Sequence, residues 1–215
     1  MNKKNGLITG ISLILMALAA GYVYGYVHGT IYVLSDTELT SKLYQENLNL
    51  YKSGIAGWVL ILVLDIIVSI TIYLFYRTVN QNLAALTSVL RIVYTLFLCV
   101  AISNLVEPFI SSNGIKNITT YFEGFEKFFS YGLILFGFHL LTLSILCFKS
   151  KFTPNLIAIL LLLGGLSYIF VHSTNSFFQN SNLITPTLEI AIAVVMTVSE
   201  LAFAIWIIVK SYRLK

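Results

Sequence analysis

Charge is what this sequence has least of. Only 10% of its 215 residues are Asp, Glu, Lys or Arg, and 58% are apolar; soluble domains carry roughly 25% charged residues. Too little polar surface remains to cover a water-soluble globule, and the same scarcity excludes a disordered tail or a coiled coil. Two cysteines are too few for a disulfide-stapled secreted module. Cys99 falls in the middle of one apolar run and Cys147 at the end of another, so no bond between them is expected. Catalytic signatures are absent as well: there is no His-Glu-x-x-His, no Cys-x-x-Cys, no glycine-rich phosphate loop and no Gly-x-Ser-x-Gly elbow. No catalytic residue, metal site or cofactor is therefore read from the sequence. A haem would need axial ligands, and His139 and His172, the obvious pair, lie at very different depths; His28 is closer in level to His172.

What the chain has is long apolar runs. Six are long enough to cross a bilayer, which takes about 20 residues each: Gly6–Tyr32, Gly54–Tyr76, Leu83–Leu105, Phe129–Phe148, Asn155–Val171 and Leu188–Val209. They are continuous, not alternating, and about twice the length of a barrel strand. The expected fold is all-α, one domain over residues 1–215, a bundle of six transmembrane helices. Lys3-Lys4 followed by an apolar run and Ala17-Leu-Ala19 also resembles a cleavable signal peptide, but the run continues through Tyr32 and reads as the first span.

The few charges orient the chain. With six crossings both termini share a side, which holds Lys3, Lys4, Arg77, Lys149, Lys151, Lys210, Arg213 and Lys215 and no acid. The other side mixes Lys42, Lys52, Lys116 and Lys127 with Asp36, Glu38, Glu46, Glu107, Glu123 and Glu126. The basic excess places both termini in the cytoplasm. The net charge of +4 is thus topogenic, with the lipid bilayer and not nucleic acid as partner.

Two outward loops exceed plain connectors. Ser35-Asp-Thr-Glu38 reads as a capping box, after which Leu39, Leu43 and Leu50 recur on one face beside Tyr44 and Tyr51, predicting an amphipathic helix on the outer interface. Val106–Phe128 ends in Tyr121, Phe122, Phe125 and Phe128, expected at headgroup level as an anchor or as a lid. Asn117-Ile-Thr119 fits the glycosylation pattern.

Within the spans, Gly6, Gly10, Ala17, Gly21, Gly25 and Gly29 share one helical face, and Gly164-Gly165 offers a matching surface. Small residues let helices approach closely in lipid, so Gly21, Gly25, Gly29, Gly164 and Gly165 are read as packing positions, internal or at a homo-oligomer seam. Ionisable groups are costlier there. Asp65, Arg91, His139 and Glu200 lie eight to eleven residues from the cytoplasmic ends of four different spans. At 1.5 Å per residue all four sit about 12–17 Å deep. Two acids, one obligate cation and one imidazole come close to neutrality as a group, and Arg91 is expected to contact Asp65 or Glu200. The layer reads as a site for a small ligand or ion, as a proton relay through His139, or as a charge cluster that fixes helix register.

In order along the chain, Lys3-Lys4-Asn5-Gly6-Leu7-Ile8-Thr9-Gly10, Asp36-Thr-Glu-Leu-Thr40, Leu74-Phe-Tyr-Arg77-Thr-Val-Asn80, Leu90-Arg91, Phe136-Gly137-Phe138-His139, Phe152-Thr-Pro154, Gly164-Gly-Leu-Ser-Tyr168 and Glu200-Leu-Ala-Phe-Ala-Ile-Trp206 resemble a family of bacterial integral membrane proteins catalogued as domain of unknown function 4386. The resemblance covers nearly the whole chain and implies six helices in a bacterial cytoplasmic membrane. It implies no activity. Where the family favours an arginine after Asp36 this chain has Lys52, which weakens anion recognition there. The functional expectation is a multi-pass inner-membrane protein that binds a small ligand or ion at its polar layer; the competing one is a non-catalytic scaffold or accessory subunit with a membrane partner. No inverted repeat is evident between the halves.

Overall fold

The structure, a computed structural model, describes residues 2–34, 36–111, 118–177 and 186–213. Helix α1 (Lys3–Ala20) runs without a break into a π-helical segment, Gly21–His28, and a last turn, α2 (Gly29–Ile31). After it come α3 (Thr37–Glu46), α4 (Leu48–Tyr76), α5 (Gln81–Ile110), α6 (Ile118–Lys149), α7 (Asn155–Phe177) and α8 (Pro186–Tyr212). Six helical stretches are long and apolar enough to cross a membrane: Lys3–Ile31, Leu48–Tyr76, Gln81–Ile110, Ile118–Lys149, Asn155–Phe177 and Thr187–Tyr212. Each packs against the next in sequence, and α8 closes back onto α1, so the spans form a ring.

The polarity of this ring is turned inside out relative to a soluble bundle. Leu18, Leu96, Leu156, Leu166, Ile190 and Ile205 face outward, whereas Thr9, Asp65, Ser69, Thr87, Arg91, His139 and Ser144 are buried. Lipid tails are as apolar as leucine and give the helices no reason to associate, so close packing and interhelical hydrogen bonds must hold them together. Ser69 Oγ donates to the Ser88 carbonyl (2.9 Å) while Ser88 Oγ donates to the Ser69 carbonyl (2.8 Å), clamping α4 to α5. Thr9 Oγ1 donates to Thr71 Oγ1 between α1 and α4 (2.7 Å), and Ser144 Oγ to the Ala158 carbonyl between α6 and α7 (2.8 Å).

Glycine sets the closest approaches. A Cβ on Gly165 would lie 2.8 Å from the Gly137 carbonyl oxygen, and one on Gly137 would lie 2.8 Å from that of Gly165, so the α6 and α7 backbones touch. Gly164 faces α8, where a Cβ would collide with Ser199, and Gly10 sits against the Ala204 carbonyl of α8. Gly21, Gly25 and Gly29 do not behave this way: among the described residues nothing lies within 4 Å of where their Cβ atoms would be. All three are exposed, so the face they share looks out of the bundle and does not pack within it. Val23, Val27 and His28 turn inward in their place.

Helix ends differ from the apolar runs mainly on the side opposite the termini. α4 starts at Leu48 and α6 at Ile118, well before Gly54 and Phe129, and α5 and α7 run on to Ile110 and Phe177. Hydropathy marks the hydrocarbon-matched stretch, while backbone hydrogen bonding carries each helix beyond it. Asp36, not Ser35, caps α3, its side chain accepting from the Leu39 N–H; Ser35 and Asn117 lie outside the described residues. The buried face of α3 is Thr40 and Tyr44, with Leu39 exposed, because the Thr40 hydroxyl bonds both the N–H and the carbonyl of Val33 and Tyr44 packs edge-on against Tyr51. Phe122 and Phe125 are buried around His28 and Trp58. Both cysteines are free.

Gly165→Ala should cost about 1–3 kcal/mol, the usual penalty of overpacking, since the opposing atom is backbone and cannot step aside. Gly25→Ala should cost nothing measurable. Thermal unfolding of the detergent-solubilised variants, followed by circular dichroism, checks the contrast.

Candidate functional site

Arg91 is the hub of the bundle interior. Thr87, four residues before it on α5, donates its hydroxyl to the Leu83 carbonyl, and Thr95, four after it, donates to the Arg91 carbonyl, so the flanking polar side chains satisfy themselves within the helix. That leaves the guanidinium to reach across the ring. Its Nη2 lies 2.6 Å from Asp65 Oδ1 on α4, and both side chains are fully buried. Nη1 lies 3.2 Å from His139 Nε2 on α6. Nη2 also approaches Met16 Sδ on α1 at 3.8 Å, and the guanidinium carbon stands 5.2 Å over the Phe136 ring. One side chain thereby ties four spans together.

The hydrogen-bond partners fix the state of His139. Its Nδ1 faces the Thr87 carbonyl at 2.8 Å, a group that can only accept, so Nδ1 carries the proton. Arg91 can only donate, so Nε2 offers its lone pair. The imidazole is neutral and both nitrogens are committed, which removes it as a shuttling relay and as a metal or haem ligand in this arrangement. His172 stands apart, its Nδ1 3.2 Å from Ser130 Oγ.

Glu200 belongs to the same layer but not to the same contact. Its Oε1 accepts from Tyr168 Oη at 2.6 Å, joining α8 to α7. It faces Arg91 across a cavity of about 10 Å³ lined also by Leu13, Ile72, Leu140 and Phe203. That is about the space one water molecule needs. The charge contact between Asp65 and Arg91 is close but poorly aligned, so both Asp65 oxygens and Arg91 Nε have no hydrogen-bond partner among the described residues. Buried polar atoms are seldom left so. With the layer closed in this way, the cavity has no room for an organic ligand.

The sequence placed all four ionisable groups at one depth, and three of them meet. Tyr168, Phe136 and Met16 complete the surroundings. Phe136 precedes His139 by one helical turn and could have been found from that spacing; Met16 carries no such signal. Among the described residues no group of three or more His, Cys, Asp or Glu is arranged to hold a metal ion.

Asp65→Asn removes the carboxylate paired with a buried guanidinium and should destabilise the protein by about 3–5 kcal/mol, whereas Asp65→Leu combined with Arg91→Leu should recover most of that loss. Thermal midpoints of the single and double variants in one detergent decide this.

In comparisons with known proteins, the family model described as Domain of unknown function (DUF4386) matches residues 8–211. An uncharacterized protein of Archaeoglobus fulgidus is 27% identical over 166 residues, which span 75% of this chain and 85% of that protein. No solved structure matches.

Proposed function

The chain belongs to the family described as domain of unknown function (DUF4386), and from that premise we propose that it is a multi-pass protein of the bacterial cytoplasmic membrane, termini in the cytoplasm, whose midplane layer binds one proton or one water-sized monovalent cation at Glu200. The membrane itself rests on the six long apolar helices. Orientation rests on the basic residues gathered at the ends that share the termini.

The observation that carries the reading is a charge count at close range. Asp65 and Arg91 cancel at 2.6 Å, and His139 is neutral by its hydrogen bonds. Glu200 is the surplus. The Tyr168 hydroxyl solvates it but brings no charge, and an uncompensated carboxylate in the middle of a bilayer costs a few kcal/mol. A bound proton or small cation restores neutrality. The cavity of about 10 Å³ between Glu200 and Arg91 limits the guest to that size, which narrows the small ligand or ion expected of the layer. Polar groups lead outward from it: Tyr168 stacks on His172, whose Nδ1 faces Ser130.

Infrared spectroscopy of the protein in lipid discs tests this through the C=O stretch of a protonated carboxylic acid. The band should be present at neutral pH, fall when sodium is added or pH is raised, and be absent from Glu200→Gln, which should fold as well as the parent. A spectrum indifferent to pH and sodium, and unchanged by Glu200→Gln, would overturn the proposal and leave the layer a structural clamp.

The alternative, a non-catalytic scaffold or accessory subunit, draws on the uncovered Gly21, Gly25 and Gly29. In that case Gly21→Leu with Gly25→Leu would lower the mass of the particle extracted from native membranes; with a lone chain the mass stays the same.

A further inference from the structure

On the end of the bundle opposite the termini, a cavity of about 1460 Å³ opens between the π-helical segment with α2, the first turns of α6 and the last turn of α7. It is far larger than an inorganic ion requires and exceeds the roughly 300–1,000 Å³ of sites that hold drug-sized molecules. Its chemistry is also distinct from that of the midplane layer. Tyr24, Tyr32 and Tyr131 line it, together with Glu123, Glu126, His28 and Lys127.

One of these carboxylates is held in place. Glu126 Oε1 lies 2.9 Å from His28 Nε2, and Oε2 accepts from Tyr24 Oη at 3.2 Å. His28 is itself clamped, stacked on Tyr24 and met edge-on by Tyr32 and Phe122. The π-helical segment makes this possible, because it turns His28 into the bundle while leaving Tyr24 exposed. π-turns inside helices occur frequently at functional sites.

We propose that this cavity binds an organic ammonium ion, supplied as a free solute or as a lipid headgroup. Among the described residues its wall holds two carboxylates, one lysine and one histidine already engaged by Glu126, with no arginine to favour an anion, and several tyrosine rings stand beside the acids. Aromatic faces attract alkylammonium groups through the ring quadrupole, and carboxylates add direct charge attraction. The proposal is independent of the cation assigned to Glu200 in the midplane layer, since it uses other residues and another guest.

The test uses the full chain in a maltoside detergent. Trp58 lies beside Tyr24, with ring centroids 6.4 Å apart, and the chain has two tryptophans, so Trp206→Phe leaves Trp58 as the single fluorescent reporter. Choline should give a saturable change in Trp58 emission, while 3,3-dimethylbutan-1-ol, the same shape with carbon in place of nitrogen, should bind at least about tenfold more weakly. Glu126→Gln and, separately, Glu123→Gln should each weaken choline by about tenfold. Glu123 is exposed, so its variant keeps the test sound if Glu126→Gln fails to fold. In discs of phosphatidylcholine a headgroup guest would already occupy the site and abolish the response to added choline, whereas a solute site would respond there as in phosphatidylglycerol discs. Equal responses to choline and the alcohol, no response to either in detergent, or choline binding unaffected by both glutamine variants would overturn the proposal.

Discussion

The contact between Arg91 and Asp65 is the constraint around which the bundle is arranged. Neither group can face lipid, and a guanidinium cannot shed its proton to escape the cost of burial. Both must therefore point into the ring, and their helices are fixed in rotation and in depth. His139 and Met16 extend the constraint to α6 and α1, and the serine exchange between α4 and α5 repeats it one turn away from Asp65. Once these stripes face inward, the remaining faces are aliphatic and meet the bilayer. A buried ion pair is weak evidence for stability in itself; its value here is that few other arrangements of six apolar helices would satisfy it.

Much of this was legible because ionisable residues are so scarce. In a chain with a charged residue at every fourth position, four at one depth would mean nothing; here the coincidence marked Asp65, Arg91, His139 and Glu200 as one layer. Sequence spacing gives depth along a helix and its face, but not which helices are neighbours. Arg91 could thus be matched to Asp65 or Glu200 but not assigned between them, and the bond from Tyr168 to Glu200 was not foreseen. The six spans were legible for the same reason of composition. Their ends opposite the termini were not, since Leu48-Asn-Leu-Tyr-Lys52 and Ile118-Thr-Thr-Tyr-Phe122 are helical without being continuously apolar. The direction of the glycine face was not legible. Gly21-Tyr-Val-Tyr-Gly-Tyr-Val-His28 keeps a plain four-residue glycine repeat that marks a face but not where it points, and here it points outward while Val23 and Val27 turn in.

Both ends of the bundle combine small residues with rings. Toward the termini Gly6 and Gly10 lie against α8, and Phe75 and Tyr76 pack on Phe152, which stacks on Trp206. Toward the opposite end Gly54 and Gly57 lie against Val27 and Val23, and Trp58, Phe122, Phe125 and Phe129 fill the space around His28. Between them Gly164 meets Ser199 of α8 and Gly165 meets the Gly137 backbone. That close packing leaves the layer of Arg91 and Glu200 a cavity the size of one water molecule.

The ion pair also bears on how the chain enters a membrane. As α4 emerges it carries Asp65 with no counter-charge, and α5 carries Arg91; each alone would be penalised by about 2.5–3.5 kcal/mol at the centre of a span. The link between the two helices is short, Arg77 to Asn80, and Asn80 caps α5 at once by accepting from the Leu83 N–H. The two helices can thus leave the insertion machinery as a closed hairpin with the charges already joined. Electrostatics thus favours insertion of α4 and α5 as a pair over insertion of either alone.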